Sequence, residues 1–109
     1  MLINFTQMEP KIITAFKGGK KEVLTRMFTD ENGKIACFSV EPGASIGYHL
    51  HDTSSEMIYV LNGTGKALYD DGEESLAPGI CHYCPKGHSH SVINNGADTL
   101  VFFAVVPEQ

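Results

Sequence analysis

Turn residues punctuate this chain at short intervals, and that spacing limits its fold more than any other feature. From Glu22 onward, short apolar segments alternate with Asp30-Glu31-Asn32-Gly33, Pro42-Gly43, Asn62-Gly63, Asp70-Asp71-Gly72, Pro85-Lys86-Gly87 and Asn94-Asn95-Gly96. Glycine reaches positive φ without steric cost, proline pre-sets φ, and Asn and Asp side chains close turns on their own backbone. The intervening segments carry no helical period. They predict strands over residues 22–28, 34–40, 56–61, 66–69, 80–84, 89–93 and 99–106. Short strands at this spacing argue for an all-β sandwich or barrel. Met8 to Phe16 reads equally as a strand or a short helical piece. Residues 1–21 are therefore expected to form an N-terminal arm and residues 22–109 the barrel, in one domain. A chain of 109 residues is sized for a single core with little room for a large cavity.

Two of the predicted strands are apolar on both faces. In Glu56 to Leu61, residues 56, 58 and 60 share one face and 57, 59 and 61 the other. Leu100 to Val106 is apolar throughout. A half-exposed antiparallel strand should alternate, so the outer faces need a cover: the N-terminal arm, or a second copy in a homodimer. The homodimer is the favoured reading.

Charge narrows the partners. The net charge is −5 and Arg26 is the sole arginine, so nothing recommends nucleic acid or an anionic membrane as a partner. The start, MLINFTQMEPK, lacks the basic and apolar regions of a signal peptide. Leu100 to Val106, the longest apolar run, is far short of a membrane span. Three cysteines, Cys37, Cys81 and Cys84, fit a reducing compartment. The expected location is cytoplasmic.

All five histidines fall between residues 49 and 90. On an extended strand, His49 and His51 point to the same side, about 7 Å apart along the chain. Glu56 can return to that side after Asp52-Thr53-Ser54-Ser55, and His90 arrives on a third segment. Three imidazoles and one carboxylate suit one divalent transition metal ion: Zn, Ni, Fe or Mn. Such a set leaves one or two positions open, the catalytic rather than the structural pattern. The plainer alternative is a scatter of unrelated surface and core histidines.

The surrounding glycines weigh against that alternative. One motif runs Gly43, five residues, His49, one, His51, four, Glu56, six, Gly63. A second runs Gly79, five, Pro85, one, Gly87, two, His90, three, Asn94. In both, the chain resembles the small single-domain cupins of the conserved-barrel type, with every fixed position of the two family motifs filled. The resemblance spans Gly43 to Asn94. It implies an antiparallel jelly-roll barrel of six to eight strands, commonly dimeric. It also implies a metal in the barrel mouth, held by His49, His51, Glu56 and His90.

Cys81 and Cys84 lie three apart on a predicted strand, so their sulfurs point to opposite faces, and packed free thiols are expected. His82 shares a face with Cys84. If that face is interior, His82 is a candidate acid or base behind the metal ligands. His88 is a second candidate, equally readable as a rim residue. Arg26 can recognise a carboxylate, though a lone arginine on a strand is more often surface. Ser89 and Ser91 lack the partners of a catalytic serine.

Two classes of function remain open. As an enzyme, the metal acts as a Lewis acid on a small polar metabolite with two oxygen donors, or, if iron, activates oxygen. The reaction type (isomerase, lyase, decarboxylase or dioxygenase) is not chosen by the fold. As a binding module, the barrel holds or senses a small ligand without turnover.

Overall fold

A computed structural model of the chain describes residues 1–109. Ten strands follow in order: β1 (Lys11–Thr14), β2 (Glu22–Asp30), β3 (Gly33–Val40), β4 (Ser45–Leu50), β5 (Glu56–Asn62), β6 (Gly65–Tyr69), β7 (Gly72–Leu76), β8 (Cys81–Cys84), β9 (Ser89–Ile93) and β10 (Leu100–Pro107). Two single-turn 3₁₀ segments, Phe5–Gln7 and Phe16–Gly18, lie in the N-terminal part. No helix is long and apolar enough to cross a membrane.

The strands form two antiparallel sheets. One holds six strands in the order β1-β2-β3-β10-β5-β8, the other four in the order β4-β9-β6-β7. The expected closed jelly-roll barrel is not what forms. No hydrogen-bonded ladder runs from one sheet to the other: β1 and β8 end the larger sheet, β4 and β7 the smaller. The molecule is a two-sheet sandwich. Turns such as Pro42-Gly43 and Pro78-Gly79 carry the chain between sheets, with Gly43 at φ 85° and Gly79 at φ 89°. A sharp change of direction there ends one ladder instead of extending it around a barrel.

Side chains fill the space between the sheets. Val40, Ile58, Val60, Val92, Leu100 and Phe102 are among the buried apolar residues. Phe38 stacks on Phe102 with ring centroids 5.2 Å apart. Fully burying one such side chain contributes about 1.5–3 kcal/mol. Of the two apolar faces read in Glu56 to Leu61, one is buried, with Ile58 and Val60 facing in, but the other is not fully covered: Tyr59 and Leu61 are about half exposed.

The N-terminal residues cover part of the outer face. Phe5 meets Phe103 edge-on at 6.0 Å. Arg26 donates from Nε to the Met8 carbonyl at 3.0 Å, so its guanidinium ties this segment down. Further along, Gly19 and Gly47 lie where the chain crosses β4. A Cβ at Gly19 would sit 2.1 Å from the Ser45 carbonyl oxygen, and one at Gly47 2.0 Å from that of Lys17. Two bare backbones make this crossing possible.

Candidate metal centre

Strand β4 reaches the interior through an irregularity. Its register with β9 pairs Ile46 with Val92 and then His49 with His90. Gly47 and Tyr48 thus oppose Ser91 alone, one extra residue on β4, as in a β-bulge. A regular strand continuing from buried Ile46 would turn Tyr48 and Leu50 inward. The bulge reverses that parity: Tyr48 and Leu50 are 51% and 57% exposed, and His49 and His51 face the interior instead.

The loop after His51 is clasped by the C-terminus. Gln109 N–H donates to the Thr53 carbonyl at 2.7 Å, and Ser55 N–H to that of Pro107 at 3.4 Å. This places Glu56 at the start of β5, in the opposite sheet and facing the histidines. His90 lies beside His49 on β9.

The four side chains converge on one point. His51 Nε2 lies 3.2 Å from His49 Nε2, 3.0 Å from His90 Nε2 and 3.1 Å from Glu56 Oε1. His90 Nε2 is 2.9 Å from the same carboxylate oxygen. All four ligand atoms lie within 4.8 Å of one another. Ligands about 2.1 Å from a shared ion stand about 3.0 Å apart at right angles and about 3.4 Å apart in a tetrahedron, so these separations suit a divalent metal. Proton counting points the same way. One N–H on His51 Nε2 can satisfy only one of its three close neighbours, whereas a shared cation satisfies all of them.

The outward nitrogens are held as metal-ligating imidazoles require. His49 Nδ1 donates to the Gly47 carbonyl at 2.7 Å, which leaves Nε2 with a lone pair facing the cluster. His51 Nδ1 lies 3.0 Å from Ser54 Oγ. His90 Nδ1 lies 3.0 Å from His82 Nε2. Burial alone would raise the Glu56 carboxyl, but the His51 and His90 rings that face it outweigh burial and hold the group at about 2. Burial pushes His49 down, against the pull of the Gly47 carbonyl. His82 is also lowered by burial, against its bond to Glu74.

The cluster lines a cavity of about 350 Å³, at the small end for ligand pockets. Phe38, Ile46, Ile58 and Val92 supply apolar wall, and the exposed Lys17, Lys34, Asp52 and Glu108 also line it.

The remaining candidates lie elsewhere. His82 is buried on β8, behind His90 and outside the cavity lining. His88 turns to Asp70 at 2.9 Å, with a side chain 42% exposed; its ring stacks on Tyr69 at 5.6 Å. It is not among the converging four. Cys81 is exposed and Cys84 buried, on opposite faces of β8. Burial, with Glu56 and Asp70 nearby, raises the Cys84 thiol to about 11, so it is an inert neutral thiol. Sequence reasoning missed Gly47, Ser54 and Glu74. The short spacing from Ser54 to His51 was a usable signal; nothing local marks Glu74.

Comparison with known proteins bears on this geometry. The sequence profile described as "Cupin domain" matches residues 36–106. An oxalate-binding protein of Thermotoga maritima is 31% identical over 113 residues, covering 97% of this chain and 93% of that protein. A crystal structure described as a predicted oxalate decarboxylase, also from Thermotoga maritima, superposes with a TM-score of 0.94 at 27% identity and covers 100% of both chains. A polyketide cyclase of Streptomyces resistomycificus superposes with a TM-score of 0.81 at 25% identity, covering 98% of this chain and 78% of that one.

Proposed function

The chain belongs to the cupin family, and from that membership we propose that it captures a small dianionic ligand with two oxygen donors, of the oxalate class, at a divalent metal held by His49, His51, Glu56 and His90. The observation that carries this reading is the convergence of three imidazole nitrogens and one carboxylate oxygen at one wall of a small cavity. His49, His51, Glu56 and His90 would hold a divalent transition ion, and such an ion would supply Lewis acidity toward the ligand's oxygens.

The protein's own residues prepare the rest. Three neutral imidazoles add no charge and Glu56 adds one negative charge, so a divalent centre keeps a net positive charge for an anion. The apolar walls from Phe38, Ile58 and Val92 limit water around it. Lys17 and Lys34 are cations exposed at the cavity, in a chain whose net charge of −5 otherwise repels anions. The likeness to an oxalate-binding protein over nearly the whole chain supports the ligand class.

Turnover of the same ligand is the second reading, favoured by the likeness to the predicted oxalate decarboxylase. Decarboxylation breaks the carbon–carbon bond and needs a proton delivered to the carbon that becomes formate. Asp52 and Glu108 are the carboxyl groups lining the cavity besides Glu56, and both are exposed. No acid is thus held inside the cavity for that step, which favours capture.

Titration calorimetry with oxalate, on protein loaded with Mn²⁺ and on chelator-treated protein, tests the proposal. Saturable binding by the loaded form alone, with no formate over hours, is the expected result. Formate production would establish turnover instead. Absence of binding by fully loaded protein would overturn the ligand class.

A further inference from the structure

His82 and Glu74 form a chain of contacts behind the quartet that the capture of a ligand does not itself use. Glu74 Oε1 lies 2.7 Å from His82 Nδ1. His82 Nε2 lies 3.0 Å from His90 Nδ1. The two rings lie within 22° of coplanar, centroids 5.2 Å apart, so the short contact runs edge to edge through nitrogen. Tyr69 packs edge-on against His82 at 5.7 Å. Both histidines are essentially sealed from solvent, at 2% and 0% exposure.

The direction of each hydrogen bond follows from the end of the chain. A carboxylate only accepts, so His82 Nδ1 must be the donor to Glu74. With its one proton there, His82 Nε2 is an acceptor. The group facing it is His90 Nδ1, which must then donate. His90 is left with a bare Nε2 lone pair aimed at His51 and Glu56, the nitrogen a metal needs. Ser54 imposes no such direction on His51, because a hydroxyl donates or accepts equally well. His51 alone can therefore protonate Nε2 and satisfy Glu56 when no metal is bound.

We propose that Glu74 and His82 are positioning residues that lock His90 in its Nδ1–H tautomer and so present its Nε2 lone pair to the metal. The three residues come from three strands in two sheets: Glu74 from β7, His82 from β8 and His90 from β9. β7 and β8 are the sheet edges that no ladder joins, and this pair of side chains links them. The inference rests on the metal-binding reading of the quartet for its effect on affinity, but not for the tautomer itself.

The test uses the full chain with ¹⁵N-labelled histidine, together with His82→Phe, Glu74→Ala and Glu74→Gln. In metal-free wild type, His90 should show a protonated Nδ1 and a bare Nε2 by ring ¹⁵N shifts. Zn²⁺ affinity, read by competition with a chromophoric chelator, should fall about 10- to 100-fold in His82→Phe, in line with losses of such outer partners. Glu74→Ala should fall less and mix the His90 tautomers. Glu74→Gln keeps an acceptor and should largely restore both readouts. Thermal melts identify any variant that fails to fold; Glu74, 51% exposed in its side chain, offers a variant independent of the core. An unchanged His90 ¹⁵N pattern in Glu74→Ala, or wild-type Zn²⁺ affinity in folded His82→Phe, would overturn the proposal. Wild-type protein that binds no Zn²⁺ would instead overturn the metal reading, and the ¹⁵N pattern would then decide the tautomer lock by itself.

Discussion

His49 and His51 reach the cavity through features of their own neighbourhood: a glycine at a bulge, a carbonyl two residues back and a hydroxyl three residues on. His90 reaches it from β9, and its outward nitrogen is held through His82 on β8 and Glu74 on β7. The first arm is local in sequence and uses mostly backbone. The second is assembled across two sheets and uses side chains alone. Damage to the local arm should therefore appear as strain, and damage to the distant arm as a wrongly placed proton.

The largest effect should come where the two arms meet. His51 Nε2 touches the other three ligand atoms, so His51→Ala should take metal content from about one equivalent per chain to near zero. Elemental analysis beside wild type reads this directly, and retained stoichiometric metal would show that His51 is dispensable.

Gly47→Ala should come next. A Cβ there would lie 2.0 Å from the Lys17 carbonyl oxygen, so β4 or the crossing segment must shift. Overpacking of this kind costs about 1–3 kcal/mol. A urea melt measures the loss, and weakened metal binding should accompany it because Gly47 also orients His49. Stability equal to wild type would mean the bulge tolerates a side chain.

Acid should weaken both arms. Burial lowers His49 in the local arm and His82 in the distant one, and Glu56 sits at about 2. An unfolded chain takes up protons on histidine near pH 6.5 and on glutamate near pH 4.3, in round terms. The folded chain resists both, so it binds fewer protons in these windows. Stability of the metal-free protein should be full above about pH 7 and decline as the pH falls below about 6.5. It should decline again below about pH 4.3 toward the lowered Glu56 value. Urea midpoints from pH 8 to about 2 check this, and a midpoint that rises on acidification would contradict it.

Ser54→Ala should have the smallest effect. Its hydroxyl accommodates either His51 tautomer, so the loss is one adaptable hydrogen bond, worth about 0.5–1.5 kcal/mol. A drop in Zn²⁺ affinity larger than that from His82→Phe would reverse the comparison between the arms.

Much of this was legible in the chain. The turn dipeptides separated seven of the ten strands, with ends close to those observed, because Gly, Pro, Asn and Asp act through local sterics. The period of two put Ile58 and Val60 on one face of the strand from Glu56 to Leu61, and the structure buries that face while leaving Tyr59 and Leu61 half exposed. Three strands were less plain. β7, Gly-Glu-Glu-Ser-Leu, buries only Leu76 and has no apolar alternation to betray it. β4 hides behind its bulge, since the extra residue breaks the period of two. β1, four residues long, buries none of them fully. Closure was misjudged for a related reason. Whether sheet edges meet depends on pairings between distant strands, which turn spacing does not encode.

The sequence by itself determined that the chain is antiparallel β, and that His49, His51, Glu56 and His90 stand at the spacings of two glycine-bounded motifs. Spacing and turn chemistry act over a few residues, so a single chain carries them openly. Only the tertiary structure decided that two sheets stay separate, and that a bulge turns His49 and His51 inward in place of Tyr48 and Leu50. It alone brought Glu74 and His82 behind His90. Those facts depend on which strands become neighbours, and that choice is made by burying apolar faces across the whole molecule.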